Sequence, residues 1–148
     1  MTDDDKPPSD PTVLISDRQH APIDEPALVA LARETLVGEG LRDVELSVSF
    51  VEEPEIEDLH VRYMDEPGST DVLSFPLDDV GEDGRRLLGD VVIAPAVAAR
   101  NNAGDPDAEL RLLLVHGILH LLGYDHEADA EKAAMWARQE RYSGVRSP

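Results

Sequence analysis

The sequence predicts an α+β fold, a small mixed β-sheet of about four strands packed with helices, and three observations carry that prediction. Val44, Leu46, Val48 and Phe50 alternate with Glu45, Ser47 and Ser49, the period of two that marks a strand with one buried face. Leu28, Leu31, Ala32, Thr35 and Leu36 recur at helical spacing instead. Along the chain such segments follow one another as strand, helix, strand, helix, two strands and then helices, an order that one sheet covered by helices accommodates.

Residues 1–11 are Asp, Pro, Lys and Ser with almost nothing apolar, so they cannot offset the entropy of ordering and are expected to form a disordered acidic tail. Val13-Leu14-Ile15, within Thr12 to Ser16, reads as a first strand. A packing helix follows from Pro26 to Val37, with Asp24 and Glu25 at its start and Gly38 and Gly40 at its stop. After the Val44 to Phe50 strand, Pro54 opens a helix with an apolar stripe of Ile56, Leu59 and Tyr63 and a polar side carrying His60 and Arg62. Pro67-Gly68 marks a turn into a strand from Asp71 to Phe75. The polar stretch Asp78 to Arg86, with Asp83-Gly84 inside it, links that strand to the next, Leu87 to Ala94, as an antiparallel hairpin. Arg85 and Arg86 in this link read as a solvated pair among acids, with contact to an RNA backbone as the alternative. Pro95 to Arg100 is a short Ala-rich helix, and Asp105-Pro106 supplies an N-cap and first-turn proline for a long apolar helix ending near Leu122. A last helix runs from Glu127 to about Arg141, with Ala130, Ala133, Ala134 and Ala137 as a small-residue stripe. Trp136 and Tyr142 read as core or interface anchors rather than base-stacking platforms, because aromatic content is only 4%.

With 148 residues the chain is expected to be one domain, spanning 12–142, with a C-terminal tail at 143–148. No run is long enough to cross a membrane as a helix, and the N-terminus is acidic rather than secretory, so a cytoplasmic protein is expected. There is no cysteine, which removes disulfides and thiolate ligands and leaves histidine to carry any zinc site. The net charge of −19 argues against a broadly basic nucleic-acid surface, so any RNA contact has to be local. Lysine is scarce, only Lys6 and Lys132, which with the acid excess fits either a salt-adapted host or plain solubility.

The chemistry concentrates in His116-Gly117-Ile118-Leu119-His120-Leu121-Leu122-Gly123-Tyr124-Asp125-His126, which holds three of the five histidines. On a helix, His116 and His120 stand one turn apart on one face, where a single cation takes a nitrogen from each. Gly123 can adopt a left-handed conformation and end the helix, returning His126 towards the pair. Three imidazoles with a fourth position open to water make a catalytic rather than a closed structural zinc arrangement, one Zn²⁺ per chain. The spacing is that of the metzincin proteases, which makes this a zincin-like metal-binding helix. Those enzymes carry Glu after the first His, where this chain has Gly117, so the base for peptide hydrolysis is missing and protease chemistry is disfavoured. Asp125 has three readings: orienting a ligand, assisting proton transfer, or capping the next helix.

The histidine block resembles the signature of the YbeY family of bacterial endoribonucleases. Ser69-Thr70-Asp71-Val72-Leu73-Ser74-Phe75-Pro76 is similar to that family's central strand and Gly89-Asp90-Val91-Val92-Ile93 to the strand after it, in the family's order and over about Val13 to Tyr142. The resemblance implies a zinc-dependent endoribonuclease that cuts single-stranded RNA, matures the 3′ end of 16S ribosomal RNA and takes part in ribosome quality control. Its implied partners are ribosomal RNA, the small subunit and assembly factors, with no DNA. Many members place a catalytic arginine six residues before the Thr of the Thr-Asp pair. Here that residue is Met64, and Arg62 and Asp125 are the catalytic candidates left beside metal ligands His116, His120 and His126. Asp71 and Ser74 either line the cleft or satisfy the turn and strand edge locally. Two rival functions stay open: an assembly-binding factor with structural zinc, and a metal hydrolase acting on another substrate.

Overall fold

A computed structural model describes residues 9–64, 70–124 and 129–145. Four strands, β1 (Thr12–Arg18), β2 (Val44–Val51), β3 (Val72–Val80) and β4 (Arg86–Ile93), form one mixed sheet in the order β1-β2-β4-β3. β1 pairs parallel with β2 and β2 parallel with β4, while β3 runs antiparallel to β4 as the second edge. Around it stand α1 (Glu25–Gly38), α2 (Glu53–Met64), α3 (Pro95–Asn101), α4 (Pro106–Leu121) and α5 (Asp129–Ser143). The expected α+β class with a four-strand mixed sheet is what the chain forms.

The two faces of the sheet carry different helices because side chains alternate along each strand. One face meets α1, α4 and α5 over a core that includes Leu36, Leu46, Val91, Leu114, Ile118 and Met135, all at most 1% exposed. The other meets α2 over a smaller cluster of Val51, Ile56, Leu73, Val92, Ala94 and Val97. Both principal helices begin as the sequence indicates: the Asp24 carboxylate accepts from the Ala27 N–H of α1 and the Asp105 carboxylate from the Ala108 N–H of α4, each with proline in the first turn. α4 is buried on several sides, from Ala108 through Leu119, so it is the central element of the larger layer.

Some boundaries differ from expectation. β3 continues to Val80, and the polar link shortens to the turn between Val80 and Arg86. A register shift between Pro76 and Asp79 lets the hairpin absorb the polar residues and still pair Val80 with Arg86. Ser9 and Asp10, inside the expected tail, are tied down: the Ser9 N–H and hydroxyl both donate to Asp43 Oδ1, and Arg42 pairs with Asp10 at 2.5 Å. Arg85 completes this anchor by donating to the Ser9 hydroxyl at 2.8 Å and the Asp10 carbonyl at 3.1 Å. Its role is therefore structural. Arg86 sits 3.6 Å from Asp78 on the surface. At the C-terminal end α5 runs on to Ser143, whose hydroxyl donates to the Gln139 carbonyl. Tyr63 is 60% exposed rather than part of a buried stripe, although its ring meets Phe75 edge-on at 5.4 Å. The remaining tail residues, 1–8 and 146–148, and the Pro67-Gly68 turn lie outside the described residues. Among the described residues, no helix is long and apolar enough to cross a membrane.

Candidate metal centre

The site begins with a helix pressed unusually close to a sheet. A Cβ built on Gly117 would lie 2.7 Å from the Val91 Cγ1 and 3.3 Å from the Ser74 hydroxyl, so only glycine lets α4 lie this close to β3 and β4. Ser74 seals the contact by donating to the Gly117 carbonyl at 2.9 Å. The three sequence blocks that carry the resemblance thus meet at one point: the histidine helix, the Ser74 strand and the Val91 strand. The same geometry explains the missing glutamate, since a side chain at 117 would be directed into Val91 rather than towards the histidines.

On the flank of α4, the Nε2 atoms of His116 and His120 lie 3.1 Å apart, with ring centroids at 4.5 Å. Two nitrogens held at the Zn–N bond length around a tetrahedral ion stand about 3.3 Å apart, so the pair is already close to ligand spacing. Gln139 of α5, only 4% exposed, faces the other nitrogen of His116: Nδ1 and the Gln139 Oε1 are 2.7 Å apart. A carbonyl oxygen accepts, so His116 keeps its proton on Nδ1 and presents Nε2 as a lone pair. His120 Nε2 faces that lone pair at 3.1 Å, and a cation held by both rings would lie between the two nitrogens. A buried acceptor behind a histidine is the support that metal-ligating imidazoles ordinarily receive. The sequence alone gave no sign of Gln139, which lies 23 residues away on another helix.

The helix end is built as the sequence indicates. Gly123 has φ 97°, its N–H bonds to the His120 carbonyl, and the Tyr124 N–H bonds to the Leu119 carbonyl, each at 3.0 Å. This paired closure, with glycine in the left-handed region, satisfies the last carbonyls and turns the chain away from the helix axis. Tyr124 then reaches Glu39 at the end of α1, donating its hydroxyl at 2.6 Å, and Tyr142 of α5 donates to the other carboxylate oxygen at 2.5 Å. Arg138 approaches the same carboxylate at 3.3 Å and stacks 5.1 Å from the Tyr124 ring. Burial alone would raise the Glu39 pKa, but the two hydroxyls and the guanidinium together outweigh it and hold the carboxyl below its ordinary value. His126 and Asp125 lie outside the described residues. Among the described residues no third His, Cys, Asp or Glu joins the histidine pair.

A groove runs past the histidines between α4, α5 and edge strand β3. One part is lined by Val72, Ser74, Pro76, His116 and His120, the other by Asp71, Leu112, His116, Lys132, Trp136 and Gln139. Asp71 and Ser74 therefore both reach it, and each also bonds to a helix distant in sequence, Ser74 donating to the Gly117 carbonyl and Asp71 accepting from Asn101 at 2.9 Å. Near Asp71, burial and that residue's negative charge push the Glu109 carboxyl upward. Arg62 is elsewhere. It lies on α2, against the opposite face of the sheet, pairs with Asp58 at 2.9 Å and does not line the groove. His60 is half-buried on the same helix and His20 is exposed after β1.

Residues 14–144 match the family described as Endoribonuclease YbeY. The Endoribonuclease YbeY of Streptomyces coelicolor is 44% identical over 141 residues, covering 86% of each chain, and that of Thermobifida fusca is 47% identical over 138 residues, covering 86% of this chain and 89% of its own. A solution structure of a Thermotoga maritima protein superposes with a TM-score of 0.59 at 31% identity, covering 89% of this chain and 87% of that one. The chain belongs to the YbeY endoribonuclease family.

Proposed function

We propose that the protein is a metal-dependent endoribonuclease that cuts single-stranded RNA in the cytoplasm, maturing the 3′ end of 16S ribosomal RNA and acting in ribosome quality control with the small subunit and its assembly factors. The observation that carries the reading is the convergent Nε2 pair of His116 and His120, oriented by Gln139 in a groove, in a chain of this family. His126 is proposed as the third ligand, on its spacing after Gly123, with a fourth position left for water. When bound there, Zn²⁺ supplies a water of lowered pKa and polarises a phosphoryl oxygen. Gln139 holds His116 in the tautomer that can ligate, and Ser74 with Gly117 fixes the depth of α4 against the groove. The Asp58 pairing of Arg62 on α2, on the other side of the sheet from the groove, gives no support to its standing in for the arginine that Met64 replaces. Asp125 is the remaining candidate for moving a proton.

The test is the metal content of purified protein beside His120→Ala, with both incubated with single-stranded ribosomal RNA. About one zinc per chain is expected, lost in the variant together with RNA cleavage, by a factor of at least about a hundred. Cleavage that persists unchanged without zinc would overturn the reading. The net charge of −19 favours one alternative, an assembly-binding factor with structural zinc. Restoration of ribosome assembly by His116→Ala as well as by wild type would select it.

A further inference from the structure

Trp136 and Lys132 stand one helical turn apart on α5, at the end of the groove next to His116. The Lys132 ammonium lies 5.7 Å from the centre of the indole, and the indole meets the His116 ring edge-on at 6.1 Å. Trp136 is half-buried, packed against the core along one side and lining the groove along another. Lys132 is the only lysine among the described residues. In a chain of net charge −19, Lys132 is the one cationic side chain lining this groove among the described residues, and it stands in the same part of the groove as the Asp71 carboxylate. This part of the groove measures about 400 Å³, within the range of sites that hold a small ligand.

An aromatic face with a neighbouring cation is the arrangement that grips single-stranded nucleic acid, the ring taking a base by stacking and the cation taking a backbone phosphate. We propose that Trp136 and Lys132 form a nucleotide subsite beside the metal centre, Trp136 stacking on the base next to the scissile phosphodiester and Lys132 contacting the adjoining phosphate. The inference rests on the ribonuclease reading and adds to it where the RNA lies: along the α5 side of the groove, away from Asp71. In the free protein the ammonium rests near the ring. With RNA bound it exchanges that contact for a phosphate, a small rearrangement for a flexible exposed side chain.

Trp136 is the only tryptophan in the chain, so its emission reports on this subsite directly. A single-stranded 2′-O-methyl oligouridylate, titrated into the metal-replete protein, is expected to quench that emission saturably. For cleavable RNA, Trp136→Leu is expected to raise KM about tenfold with kcat changed less than about twofold, and Trp136→Phe to recover part of the loss. Lys132→Gln is expected to weaken binding and to lower the slope of log affinity against log salt by about 0.7, the share of one phosphate contact on a single strand. Because Lys132 is exposed, that variant keeps the test decisive if Trp136→Leu folds poorly or loses zinc. Unchanged emission while anisotropy of labelled RNA registers binding, with KM and salt slope unmoved in Lys132→Gln, would overturn the subsite and leave the ribonuclease reading intact. Failure of the metal-replete wild type to bind or cut any RNA would overturn both.

Discussion

Position 117 has no room for a side chain, and much of the site's character follows from that. A methyl group there would overlap the Val91 side chain, itself 0% exposed, so the helix would have to lift from the sheet and carry His116 and His120 with it. Overpacking of this kind costs about 1–3 kcal/mol, against which the better helix propensity of alanine returns about 1 kcal/mol. Gly117→Ala is therefore expected to destabilise the fold by about 1 kcal/mol in urea denaturation and to weaken zinc binding as well. Unchanged stability would mean that Val91 yields freely and that the close approach is not a constraint. Gly117→Glu is expected to be worse on both counts, rather than to install a protease base, because the carboxylate would be driven into the core.

Between elements, Glu39 clasps α1 to α5 and to the residue that follows α4. Its carboxylate is the shared acceptor for Tyr124, Tyr142 and Arg138. A carboxyl whose folded pKa lies below its unfolded value contributes fully above the unfolded pKa, and the contribution is lost as pH falls through the folded one. Glu39→Gln is thus expected to cost about 2 kcal/mol at neutral pH. It should also flatten the loss of stability that wild type shows below about pH 4.5. An acid limb identical in slope to that of wild type would contradict the clasp. The tyrosines supply the opposite limb. Burial, and then the Glu39 hydrogen bond, push the Tyr142 hydroxyl up to about 12. The folded state therefore holds that proton while the unfolded chain releases it, and stability falls as pH rises from about 10 to about 12. Tyr142→Phe is expected to remove that part of the alkaline limb, read from denaturation midpoints across the interval. The same ring explains Gly38, where a Cβ would lie 2.5 Å from the Tyr142 ring: the glycine read as a helix stop is a seat for α5.

At the scale of the whole molecule the dominant fact is charge. A net −19 on 148 residues makes the compact state repel itself, and dissolved salt screens that repulsion, with a Debye length of about 10 Å at 0.1 M and about 3 Å at 1 M. The thermal midpoint is expected to rise between low and molar KCl; a flat series would remove the salt-adaptation reading and leave solubility as the reason for the acidic surface. The exposed ion pairs, such as Arg18 with Glu55 at 2.5 Å and Arg62 with Asp58 at 2.9 Å, contribute little to this balance, because water screens them.

Local pattern determined much of this protein. The period of two in β2, the helical spacing of α1 with Asp24 and Glu25 at its start, the Asp105 cap and the left-handed Gly123 were all legible because each depends on neighbours in the chain. So was the pairing of His116 with His120, since four residues make one helical turn. Tertiary structure decided what depends on residues distant in sequence: Gln139 behind His116, the contact of Gly117 with Val91, the clasp on Glu39, and the position of Trp136 beside the histidines rather than sealed in the core. It also placed Arg62 on the far face of the sheet and turned Arg85 inward to hold Ser9 and Asp10. The reason is common to all of these. A helix shows its own period in its sequence, but which of its sides meets a strand, and which side chain fills the space between them, is set by the packing of the elements.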